Sequence, residues 1–305
     1  MWGARWSVIG GAWSEAMFGA QTMADRRSAR AHAHGASNLG HMSTSAANNE
    51  YAAAAEAIAA LDEGTKVAVV SGASSGIGEA TARTLAEQGF HVVVGARRFE
   101  RVSALAEEIG GTAAPLDVTN TDQVAALAEA LGRVDVLVNN AGGAKGQSSI
   151  MDADIEQWRW MWETNVLGTL HMLRALMPKL IASGDGLVVT ITSVAALEAY
   201  DNGSGYTTAK TAESVLHRTL RGEFLGEPVR FTEIVPGLVE TEFSLVRFEG
   251  DAEKAAKPYQ GLQPLVAEDV AEVVGFVASR PAHVNLDRID IKPRAQHSAQ
   301  RAYRE

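Results

Sequence analysis

The chain has 305 residues, 46% of them hydrophobic and 21% charged, enough to bury one substantial core of the globular kind. Its 37 acidic and 27 basic side chains leave a formal charge of -10 with no block of like charge, so neither nucleic acid nor anionic membrane is an expected partner. Cysteine is absent, which excludes disulfides, thiolate catalysis and cysteine-ligated metal.

Residues 1–64 differ in composition from the rest. Ala, Ser, Asn and His dominate, Trp2, Trp6 and Trp13 are scattered, and only Tyr51 to Leu61 is helix-prone. Glu15 and several glycines interrupt any apolar core of a secretory signal. The stretch reads as a disordered or weakly helical extension, and a start placed upstream of Met42 would look the same. His32, His34 and His41 cluster there and are better explained by the leader than as a ligand set, so no metal is expected. No run of about 18 apolar residues offers a membrane span, and a cytoplasmic location is expected.

From Lys66 short apolar runs alternate with amphipathic stretches. The runs Val67–Val70, His91–Val94, Ala113–Leu116, Val134–Val138, Leu187–Thr192 and Val229–Val235 predict strands, with a weaker one at Leu286–Ile291. Helices are predicted over Ile77–Gln88, Glu100–Ile109, Thr121–Leu131, Asp154–Leu180, Gly205–Leu225 and Ala267–Ser279. This order predicts an α/β, Rossmann-like, doubly wound parallel sheet over residues 65–293, a single domain with helices on both faces and a tail over 294–305. Trp158, Trp160 and Trp162, spaced by two, point around their helix and read as packing and subunit contact.

Ligands of such sheets bind beyond the carboxyl ends of the strands, and the motifs fall there. After the first strand, Gly72, Ser74, Ser75, Gly76, Ile77 and Gly78 form a turn entering a helix, where free N–H groups and the dipole favour a pyrophosphate. The second strand closes on Arg97 and Arg98 with no acid for a ribose hydroxyl, so a 2′-phosphate and NADP(H) are expected. Asp117 and Val118 follow the third strand, and Asn139, Ala141 and Gly142 the fourth, as walls of the same crevice. Tyr206 and Lys210 lie four apart on one helix face, and an ammonium there favours the phenolate, lowering the phenol toward the range of a general base. Ser193 stands just past the fifth strand, placed to bond a substrate oxygen. Alone, the Tyr/Lys spacing is a common solvated helix face; its meaning comes from the motifs that precede it in order.

Taken together these motifs, with Asn165 on the central helix and Pro236, Gly237 and Thr241 downstream, resemble the short-chain dehydrogenase/reductase family from Lys66 to about Pro293. The resemblance implies that Tyr206 transfers the proton, Lys210 lowers its pKa and holds the nicotinamide ribose, Ser193 orients the substrate oxygen and Asn165 positions a relay water. It adds Pro236, Gly237, Val239 and Thr241 to the cofactor wall. Pro236 to Ser244, Val246 to Phe248 and Pro281 to Asn285 are similar to the NADP-dependent 3-hydroxy acid dehydrogenases acting on serine and allo-threonine. A small carbonyl or alcohol substrate and a homo-oligomer, commonly a tetramer, are implied. Residues 241–263 are expected to form a substrate lid whose Arg247 meets a substrate carboxylate, with Lys145 the weaker candidate. A 3-oxoacyl-thioester or general carbonyl reductase and a non-catalytic cofactor sensor are the alternatives.

Overall fold

β-Branched side chains fit a pleated surface buried on both sides, and the apolar runs accordingly become strands. The computed structural model describes residues 44–305 and contains β1 (Val67–Ser71), β2 (His91–Ala96), β3 (Thr112–Pro115), β4 (Val136–Asn139), β5 (Gly186–Ile191), β6 (Val229–Pro236) and β7 (Arg288–Ile291). Its helices are α1 (Thr44–Ala59), α2 (Gly76–Glu87), α3 (Phe99–Ile109), α4 (Thr121–Ala130), α5 (Ile155–Trp162), α6 (Gly168–Ala182), α7 (Ser204–Glu223), α8 (Phe243–Arg247), α9 (Ala252–Ala256) and α10 (Ala267–Ala278).

The strands form one seven-stranded parallel sheet in the order β3-β2-β1-β4-β5-β6-β7, with Val69 opposite both Val93 and Leu137. The order reverses between β1 and β4, which opens a crevice at their carboxyl ends. On one face α1, α4, α6 and α7 pack through Tyr51, Leu127, Leu176 and Leu220. On the other, α2, α3 and α10 pack through Leu85, Leu105 and Val274. This Rossmann-like arrangement is the expected fold. No helix among the described residues is long and apolar enough to cross a membrane.

Three segments depart from expectation. First, packing begins well before residue 65. Ala47, Tyr51 and Ile58 of α1 belong to the core, and the Tyr51 hydroxyl donates to the Pro115 carbonyl. Burial pushes that phenol up to about 12. Trp2, Trp6, Trp13, His32, His34 and His41 lie outside the described residues. Second, the predicted Asp154–Leu180 helix is three pieces, because a π-turn over Glu163–Leu167 separates α5 from α6. Such an insertion widens the helix by one residue, a device common at functional sites. Third, the chain beyond Pro293 turns back on itself. Gln296 pairs with Ala302, its Oε1 accepts from Leu238 N at 2.8 Å, and Glu305 N donates to Gly261 O at 2.8 Å.

Candidate active site

The turns after β1 and β4 are tied together by side chains. Ser71 Oγ accepts from Asn140 N and Ala141 N, each at 3.1 Å, and donates to Val138 O at 3.2 Å. Asn140 Nδ2 donates back to Ser71 O at 3.0 Å. Gly72 has φ +69, and a Cβ there would lie 2.8 Å from Ala141 Cα, so no other residue fits. Ser75 precedes α2 but makes no side-chain cap, leaving the first-turn N–H groups uncapped by it. An uncapped helix start behind a glycine turn is the donor set a dinucleotide phosphate needs.

The two arginines after β2 separate in space. Arg98 Nε donates to Ser74 Oγ at 3.0 Å and Nη2 to Ser75 Oγ at 2.7 Å, placing its guanidinium directly over the glycine turn. Arg97 is exposed. The third Arg98 contact is Glu242 at 2.7 Å, a residue that also accepts from Arg101 at 2.9 Å. Those bonds, first from Arg101 and then from Arg98, hold the Glu242 carboxyl down at about 2.

The other expected wall residues make contacts of their own. Asp117 accepts from Thr119 N and Oγ1 at 3.0 and 2.7 Å and so braces its own turn. Val118 is buried, and its carbonyl meets His171 Nδ1 at 2.9 Å. Asn139 is buried at the end of β4, and its side-chain amide has no partner. Past β6, Gly237 N donates to Ile291 O at 2.7 Å, Val239 bridges Leu265, and Thr241 Oγ1 accepts from Phe243 N at 3.2 Å.

Tyr206 and Lys210 lie in the first turns of α7, both buried. Gly142 brings the Asn-rich turn against them: a Cβ there would meet Asn165 Oδ1 at 2.5 Å and Lys210 Nζ at 3.4 Å. Asn165 lies within the π-turn, fully buried, with its side chain committed to that loop. Its Oδ1 accepts from Gly143 N at 3.0 Å, while Nδ2 donates to Gly143 O at 3.0 Å and Met161 O at 2.6 Å. The side chain therefore fixes the turn against the π-turn. Ser193 Oγ accepts from Ala195 N at 3.1 Å.

The phenol of Tyr206 is shifted up, opposite to the expectation from the Lys210 spacing. Burial raises it and outweighs Lys210, which pulls it down, as does hydrogen bonding with Ser193. For Lys210, burial favours the neutral amine, but Glu213 and Tyr206 overcome that and raise it.

A small cleft opens beside Tyr206, lined among others by Lys145, Trp158, Met161, Ser204 and Arg247. Arg247 Nε donates to Gly146 O at 3.1 Å and Nη1 to Tyr200 Oη at 3.3 Å, and the guanidinium lies 5.9 Å from the Tyr206 ring centre. Phe243 packs 5.5 Å from the same ring. Lys145 Nζ sits 4.8 Å over Trp160. Trp158 thus lines the cleft and Trp160 packs against the same apolar cluster, while Trp162 is exposed. The sequence reading missed Glu213, Glu242 and Gln296. An acid following Lys210 by three positions was the one visible signal among them.

The family model for short chain dehydrogenases matches residues 66–251. An uncharacterized oxidoreductase of Mycobacterium tuberculosis (strain ATCC 25618 / H37Rv) is 70% identical over 236 residues, covering 77% of this chain and 94% of that protein. An NADP-dependent 3-hydroxy acid dehydrogenase of Salmonella typhi is 40% identical over 240 residues, covering 76% and 97%. Among solved structures, the closed form of serine dehydrogenase complexed with NADP+ matches with a TM-score of 0.75 at 37% identity, covering 78% of this chain and 99% of that one.

Proposed function

This chain belongs to the short chain dehydrogenase family and is an NADP-dependent oxidoreductase acting on CH–OH groups, and from that premise we propose that its substrate is a small 3-hydroxy acid or the matching 3-oxo acid. Serine, allo-threonine, 3-hydroxyisobutyrate and malonic semialdehyde are the members of that class to test first. Arg247 carries the reading. It faces the cleft beside Tyr206 with a carbonyl and a phenol for partners and no carboxylate among the described residues. A substrate carboxylate needs such a cation once water is excluded. The relative from Salmonella typhi, named for 3-hydroxy acids, supports the same class.

NADP(H), when bound, supplies or accepts the hydride. The first-turn N–H groups of α2 with Ser74, Ser75 and Arg98 would hold its phosphates, and Lys210 its nicotinamide-side ribose. In the reducing direction Tyr206 Oη donates its proton to the substrate oxygen, which Ser193 Oγ also bonds; in oxidation the phenolate takes the proton back. Lys210 stabilises that phenolate against the cost of burial. Residues 241–263 serve as the lid, with the backbone of Arg247 anchored to Gly146 N at 2.9 Å. Exposed Ile150, Met151, Ile155 and Trp162 support a homo-oligomer.

The test is NADPH oxidation and NADP+ reduction across small 3-oxo and 3-hydroxy acids and their uncharged analogues. The acids should be preferred by at least about tenfold in kcat/KM, as one charge-assisted contact provides. A preference for uncharged carbonyls would replace the reading with a general carbonyl reductase.

A further inference from the structure

Below Lys210, away from the cleft, lies a polar layer between the sheet and helices α6 and α7 that the reaction as written does not use. Glu213, one helical turn after Lys210, is 1% exposed. Its Oε2 accepts from Lys210 Nζ at 2.7 Å, and its Oε1 accepts from Thr169 Oγ1 of α6 at 3.0 Å. Lys210 Nζ also donates to Ile191 O of β5 at 3.0 Å. An ammonium has three N–H donors. Two are fixed on the floor of the site, which leaves one for the side where Gly142 and the crevice lie.

We infer that Glu213 is a positioning residue for the reaction: its carboxylate orients the Lys210 ammonium and sets the pH at which Tyr206 gives up its proton. The inference rests on the reading of Tyr206 and Lys210 as the proton-transfer pair. A carboxylate this deeply buried is costly: burial raises the pKa of Glu213, and one cation and one hydroxyl hold the charged form against it. A mere packing role would be served by an apolar side chain of similar volume at no such cost. The charge is also near enough to act. Seven residues along a helix is about 10 Å, where one charge on another shifts a titration by about one pH unit at the effective permittivity of a protein interior.

The other titratable groups around Glu213 are fixed by their own partners. Glu233 of β6 is buried and accepts from Thr192 Oγ1 at 2.8 Å. His217 of α7 meets Thr190 Oγ1 at 2.9 Å, and burial drives its pKa down to about 4, so it is neutral well above that pH. With Glu213 charged, the surroundings of Tyr206 hold Lys210 and a compensating negative charge. With Glu213 neutral, the cation is uncompensated and the first proton leaves the Tyr206/Lys210 pair more readily.

The test uses the full chain and the alcohol or hydroxy acid that the substrate screen ranks first, measuring NADP+ reduction against pH together with NADPH binding by fluorescence. Glu213→Gln keeps an acceptor for Lys210 and removes the charge. The rising limb of kcat should move to lower pH by about one unit while NADPH still binds. Glu213→Asp, which keeps the charge, should return the limb toward the wild-type position. If Glu213→Gln does not fold, Glu213→Met carries the same expectation for the limb. An unmoved limb, a limb moved to higher pH, or a uniform loss of kcat at every pH overturns the inference, and so does failure of both neutral variants to fold, which would assign the carboxylate to stability. Tyr206→Phe run in parallel separates the two readings: full turnover in that variant overturns the proton-transfer pair itself, whereas an inactive Phe variant beside an unmoved Gln profile overturns the role of Glu213 alone.

Discussion

Arg98 Nη1 donates to Glu242 Oε2 across 2.7 Å, joining the end of β2 to the residue just before α8. The same guanidinium bonds Ser74 and Ser75 of the glycine turn. The guanidinium over the glycine turn is therefore also tied to the residue that leads into α8.

Arg98→Ala should weaken NADPH by roughly 10- to 100-fold and leave NADH nearly unchanged, since only NADPH carries the phosphate that a charge-assisted hydrogen bond would meet. Arg97 is exposed, and its replacement by Ala should matter less because solvent screens it. Fluorescence titration with both nucleotides decides this; an equal loss for the two would make Arg98 a structural tie between β2 and the lid.

Glu242 offers a pH test of that tie. Its pKa is depressed to about 2 from 4.5, so its contribution to stability is present above pH 4.5 and is lost as pH falls through about 2. Glu242→Gln should lower Tm at pH 7, and the gap to the wild type should close between pH 4.5 and 2. The carboxylate is partly exposed, so the gap should be small and shrink with added salt. A gap that persists at pH 2 would show that hydrogen bonding without charge is enough.

Sheet, glycine turn and the Tyr206/Lys210 pair were all legible because each has a local signature: continuous Val/Leu/Ile runs, a turn requiring positive φ, and an i,i+4 spacing. The π-turn at Glu163–Leu167 was not, because a single inserted residue leaves the apolar pattern of the flanking helices intact. Of α1 the helix-prone stretch from Tyr51 was legible, but its start at Thr44 and its place in the core were not, because an Ala-rich face carries little hydrophobic contrast. Glu213 reads in sequence as a solvated acid beside a lysine. That its carboxylate lies inside depends on the sheet opposite, which spacing along one helix does not reveal. The net rise of the Tyr206 pKa was misjudged for the same reason: the neighbour was visible, the burial was not.

His217 predicts an acid limit to stability. Burial lowers it to about 4 from 6.5, so the folded chain keeps it neutral while the unfolded chain takes up a proton. Its stability contribution is complete above pH 6.5 and falls away as pH drops toward 4, by about 3 kcal/mol over the window. His217→Gln, which keeps a polar partner for Thr190, should lose less stability than the wild type between pH 6.5 and 4 in urea unfolding. Parallel losses in the two proteins would place the acid sensitivity elsewhere.

Tyr206→Phe keeps the ring packed against Phe243 and removes the hydroxyl. Turnover should fall by roughly 10²- to 10⁴-fold, the scale of general acid–base catalysis, while NADPH affinity barely moves. Steady-state rates with a fluorescence titration check both halves. A Phe variant near wild-type turnover would remove Tyr206 from the chemistry.

Substrate charge is tested most directly at Arg247. Its backbone is fixed to Gly146 and its guanidinium bonds Gly146 O and Tyr200 Oη, so the side chain is held in place with no acid among the described residues to neutralise it. Removing it should therefore cost binding of an anionic substrate far more than folding. Arg247→Leu keeps bulk over the Tyr206, Tyr200 and Phe248 rings that the guanidinium faces. The expected result is a rise in KM for serine or 3-hydroxyisobutyrate of roughly 10- to 100-fold, as loss of one charge-assisted contact predicts. An uncharged ketone of similar size should change by less than about threefold, since nothing in it addressed the guanidinium. Lys145→Met supplies the comparison: its ammonium is already engaged by the Trp160 ring, and its loss should weigh less on the same acids. If Arg247→Leu treats charged and uncharged substrates alike, Arg247 is an anchor of the lid rather than a reader of carboxylates, and the acid-specific reading falls with it.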